Sequence, residues 1–88
     1  MNPQLRTLRR QIDRLDQRLL SLLNQRARLA RRVGALKHRN GRQVFDPKRE
    51  REILARLRAA NAGPLPAAAI AAIYREILKR SRQLERRG

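Results

Sequence analysis

Along the first part of the chain, apolar side chains recur at Leu5, Leu8, Ile12, Leu15, Leu19, Leu22, Leu29, Val33 and Leu36, in steps of three and four. That spacing lays one apolar stripe along a helix of heptad type. One member is missing, because the step after Leu22 lands on Arg26. Asn2 and Pro3 supply an N-cap and a first-turn proline, and Asn40-Gly41 supplies a stop, so the pattern predicts helix 1 over about residues 3–39. At ~1.5 Å per residue this helix is roughly 55 Å long, too long for a globule of this mass. Its stripe needs a cover from outside its own chain.

After the turn, Asp46 and Pro47 are the N-cap and first residue of a second helix, which carries Ile53, Leu54 and Leu57 and fades at Asn61-Ala62-Gly63-Pro64. Pro66 opens a third, with a stripe of Ile70, Ile73, Tyr74, Ile77, Leu78 and Leu84. The predicted spans are about 47–61 and 66–87. No repeat, linker or low-complexity tract intervenes, so the expected fold class is all-α, one long helix and two shorter ones. The economical assembly is an intertwined helical homodimer in which the long helices pair and the short ones fold across them.

Composition narrows the chemistry. With 88 residues the chain is one small domain, near the lower limit for a self-sufficient core. It has no cysteine, which removes disulfides and thiolate metal sites and is compatible with a reducing cytoplasm, the expected location. A lone His38 cannot build a metal site and is expected to be solvated. Neither a signal-peptide core nor a run of apolar residues long enough to span a membrane is present in the sequence. The net charge of +16 calls for an anionic partner or a generously solvated surface. The arginines, Arg82 among them, are spread over outward positions of all three helices, and Phe45 and Tyr74 offer no stacking platform for single-stranded nucleic acid.

The informative charges are those that intrude on inward faces. Lys37 follows Arg26 by 11 residues, which at ~100° per residue returns it to within about 20° of the same face. In helix 3, four-residue steps from Ile73 and Ile77 reach Ser81 and Glu85. Glu50 stands one turn past Asp46, with Arg49 beside it. An inward cation is costly unless paired. Two readings satisfy it: a structural network with Glu50 and Glu85 as the anions, or a pocket for an anionic small molecule.

At these residues the chain resembles the all-helical chorismate mutases, through LRRQIDRLDQRLLSLLNQR, ARRVGALK, VFDPKRERE and IYREILKRSRQLE. The spacing from Arg9 to Arg26, Lys37, the D-x-x-R-E element and Ser81 carries the likeness. It implies that residues 1–88 form one chorismate mutase domain in a homodimer, an isomerase converting chorismate to prephenate on the way to phenylalanine and tyrosine. It further implies that Arg26 and the other subunit's Arg9 clamp the two substrate carboxylates, with Arg49 and Ser81 in support. Lys37 would bond a carboxylate and the ether oxygen of the breaking bond; Glu85 would supply the second donor there. Asp46, through its backbone N–H, and Glu50 would hold the ring hydroxyl, and Val33 and Leu78 would wall the ring. No cofactor, metal, nucleic acid or membrane enters this reading.

Helix geometry agrees on one point: Arg9 lies 17 residues before Arg26, ~25 Å along the axis, and reaches such a site only from an antiparallel partner helix. Glu85 raises a separate expectation. A carboxyl donates a hydrogen bond only when protonated, so activity should strengthen as pH falls below neutral. Competing readings are an isochorismate pyruvate-lyase of the same fold, and a basic helical dimer that binds nucleic acid.

Overall fold

The structure is a computed structural model and describes residues 2–87. It consists of three helices, α1 (Pro3–Arg39), α2 (Pro47–Ala60) and α3 (Ala67–Arg87). Local chemistry accounts for their ends. The Asn2 side chain accepts from the Gln4 N–H at 2.8 Å, and Pro3 occupies the first turn, where its missing N–H costs nothing. At the other end of α1, Gly41 takes the left-handed region at φ +65°, and the N–H groups of Gly41 and Arg42 donate back to the carbonyls of His38 and Lys37. These two bonds satisfy carbonyls that the helix itself leaves unpartnered, and they fold the chain sharply back.

Asp46 caps α2 through a 3.0 Å bond from the Arg49 N–H, with Glu50 adding negative charge to the first turn. Helix α2 stops one residue earlier than the apolar pattern implies, because Asn61 leaves helical geometry at ψ 115°. Helix α3 begins at Ala67; Pro66 stays outside and its carbonyl accepts from the N–H groups of Ala69 and Ile70.

Within the chain, α3 packs across the C-terminal half of α1, and α2 packs on α3. Helices α1 and α3 come into close contact at Gly34, which is buried; a Cβ there would stand 2.5 Å from the Glu85 Cα and carbonyl oxygen. The core is meagre. Leu78 is the one buried hydrophobic residue among those described, and residues 2–25 are exposed throughout. Leucines of the heptad stripe stand open, among them Leu8 at 56 % and Leu19 at 56 %. No helix is long and apolar enough to cross a membrane.

Candidate active site

Where the C-terminal half of α1 meets α3 and the start of α2, a cavity of about 270 Å³ opens to solvent. Helix α1 contributes Arg26, Leu29, Ala30, Val33 and Lys37 on one face, in steps of three and four. Helix α3 contributes Leu78, Ser81 and Glu85, again at helical spacing. Val44 and Asp46 come from the connection after α1, and Arg49, Glu50 and Ile53 from the first turns of α2.

The two inward cations meet different partners. Lys37 donates from Nζ to the Glu85 carboxylate at 3.0 Å and to the Val44 carbonyl at 2.8 Å. Glu85 itself is buried at 8 % exposure, so removing either partner would leave the other as a shielded, uncompensated charge. Arg26 donates from Nη1 to the Ser81 hydroxyl at 2.6 Å, and the Ser81 O–H in turn donates to the Ile77 carbonyl at 2.9 Å. Among the described residues no carboxylate reaches the Arg26 guanidinium. A half-buried guanidinium held in place by a neutral hydroxyl keeps most of its five donors for an incoming anion.

Glu50 belongs to a third arrangement. Both of its oxygens lie against Arg82 Nη1, at 2.7 and 2.5 Å, and the Arg82 guanidinium lies 5.1 Å from the centre of the Phe45 ring. The structural network anticipated for the inward charges is thus half realised. Glu85 neutralises Lys37, whereas Glu50 pairs with Arg82 and leaves Arg26 without an acid among the described residues.

Of the residues expected in a site, Arg26, Val33, Lys37, Asp46, Arg49, Glu50, Leu78, Ser81 and Glu85 all line this one cavity. Arg9 does not; it sits on the exposed N-terminal half of α1. Leu29, Ala30, Val44 and Ile53 were not anticipated. The first two lie three and four residues after Arg26, and Ile53 three after Glu50, so the same helical period would have found them. One residue expected on an outward face needs correction: Arg82 is half-buried against Glu50. His38 is exposed, as expected, and in addition places Nε2 3.0 Å from the Glu85 carbonyl oxygen. Both contacts depend on how α3 crosses its neighbours, which helical periodicity does not encode.

Comparison with known proteins places this geometry. The family model for chorismate mutase type II matches residues 8–86. A bifunctional chorismate mutase/prephenate dehydratase from Aquifex aeolicus is 40 % identical over 88 aligned positions, which cover 96 % of this chain and 24 % of that protein. The chain thus spans about a quarter of the length of the curated relatives it matches. Among solved structures, chorismate mutase (Form II) from Thermus thermophilus is 42 % identical with a TM-score of 0.94, each chain covered to 96 %. The Helicobacter pylori chorismate mutase in complex with prephenate is 33 % identical with a TM-score of 0.87, covering 96 % of this chain and 91 % of that one. With the family model matched along almost its whole length and close relatives in both sequence and structure, this chain belongs to the chorismate mutase type II family.

Proposed function

We propose that this chain catalyses the Claisen rearrangement of chorismate to prephenate, as a homodimer with shared sites. The observation that carries the proposal is Arg26: a cation on the wall of a small cavity, oriented by Ser81 and with no acid against it among the described residues. The reaction breaks the ether C–O bond, forms a C–C bond between the enolpyruvyl methylene and the ring, and moves no proton. Catalysis then has two parts, selecting a reactive fold of the substrate and stabilising charge as it grows.

In this reading Arg26 and the other subunit's Arg9 take one substrate carboxylate each, supported by Arg49 and Ser81. Guanidinium groups suit that task because their planar fork matches a carboxylate. Lys37 exchanges part of its pairing with Glu85 for the substrate's carboxylate and ether oxygen. Negative charge develops on that oxygen as the bond breaks, so the ammonium binds the transition state more tightly than the ground state. Asp46 and Glu50 hold the ring hydroxyl, and Val33 and Leu78 bound the apolar ring. A cytoplasmic setting, expected from the cysteine-free composition, belongs to the same proposal.

The test is loss of chorismate absorbance with purified protein, with prephenate identified as the product. Lys37→Ala is expected to lower kcat by ~10²-fold or more, the usual cost of a lost transition-state donor. Arg26→Ala should raise KM and lower kcat together. Full activity in either variant would refute the site.

A further inference from the structure

Arg82 lines no part of the catalytic cavity, yet it stands on one of the segments that build it and touches two others. It projects from α3 one residue after Ser81, its Nη1 meets both oxygens of Glu50 at the start of α2, and its guanidinium rests near Phe45, between Val44 and Asp46. The packing gives this contact weight. Helices α1 and α3 form one packed pair and α2 rests on α3, so the wall carrying Asp46, Arg49 and Glu50 is registered to Arg26 and Lys37 through α3. Glu50 and Arg82 are both mostly shielded, with side-chain exposures of 20 % and 24 %, so the pair is less weakened by solvent than a surface ion pair.

We propose that Arg82 is a positioning residue for the rearrangement, which fixes the Glu50 carboxylate from behind so that its remaining lone pairs meet the ring hydroxyl of the substrate. A carboxylate offers about four acceptor sites, and Arg82 occupies two from the side away from the cavity. The same guanidinium steadies Phe45 and hence its neighbours, the Val44 carbonyl that accepts from Lys37 and the Asp46 cap of α2. Arg82 thereby links the orientation of Glu50 to that of Lys37 without touching substrate. The inference rests on the mutase reading above.

A double-mutant cycle on kcat/KM tests it, using Arg82→Met, Arg82→Lys, Glu50→Gln and the Arg82→Met/Glu50→Gln pair. Arg82→Met keeps an apolar stem beside Phe45 and should lower kcat/KM about tenfold, a cost typical of a misplaced binding group. Because one nitrogen makes the contact with both oxygens, Arg82→Lys can reproduce it and should stay within about threefold of wild type. In the Glu50→Gln background, Arg82→Met should cost less than about twofold, since the carboxylate it serves is gone. Equal losses in both backgrounds, or an Arg82→Met enzyme with unchanged kcat/KM, would overturn the proposal while leaving the mutase reading intact. A wild type inactive on chorismate would instead remove that reading and this one together. Should Arg82→Met fail to fold, Arg82→Gln takes its place in the cycle with the same expected pattern.

Discussion

On the mutase reading, Glu85 faces two demands that pull apart. Within the cavity its carboxylate accepts from Lys37 at 3.0 Å, which calls for the ionised form. Beside a substrate whose ether oxygen gains negative charge, an ionised carboxylate repels, and only the protonated group donates. Glu85→Gln, whose amide donates at every pH, should therefore raise activity near pH 8; equal activity of the two enzymes there would rule the role out. Arg26 was legible in the sequence because it breaks an apolar stripe, Lys37 because 11 residues return it to the same face, and Ser81 and Glu85 because each continues a stripe. Arg9 entered only through family resemblance, and it stands outside the cavity of its own chain. Arg82 was not legible at all: 23 bases surround 7 acids, and periodicity does not say which base meets Glu50.

At the scale of elements, the helix ends were readable to within a residue because capping is local chemistry. Asn2 with Pro3, Asn40 with Gly41, and Asp46 with Pro47 each act within a turn of where they stand. The way the helices cross was not readable, because it depends on a contact between residues 51 positions apart: Gly34 on α1 and Glu85 on α3. A glycine at that point lets the two backbones approach until the Lys37 and Glu85 side chains meet and His38 reaches the Glu85 carbonyl. That carbonyl lies in the last turn of α3, where the helix supplies no donor of its own, so His38 completes it. Gly34→Ala would press a methyl group onto the Glu85 backbone. It is expected to cost about 1–3 kcal/mol of stability by overpacking, seen as a lower denaturation midpoint, and to reduce kcat by shifting Glu85. An Ala variant with wild-type midpoint and rate would show that the crossing has slack.

The whole molecule is far from compact. Its radius of gyration is 16.6 Å, against ~12 Å for a globule of this length. Its accessible surface is 7478 Å², against roughly 5,400 Å² for a compact monomer of the same mass. The excess, about 2,100 Å², is within the range that permanent homodimers bury, and open leucines of the α1 stripe account for part of it. If the two chains complete each other's sites, mixing Arg9→Ala with Arg26→Ala should regenerate activity that neither variant has alone. Random reassociation makes half the dimers mixed, and each mixed dimer holds one intact site, so about a quarter of wild-type activity should return. No recovery after verified exchange would mean that Arg9 serves elsewhere. If the open leucine stripe is the seam of that dimer, it also sets a working range. A site assembled from two chains disappears when they separate, so turnover per chain must fall as the enzyme is diluted below its dissociation constant and recover as it is concentrated. For such an enzyme, expression level controls the fraction of sites that exist as well as the number of chains made.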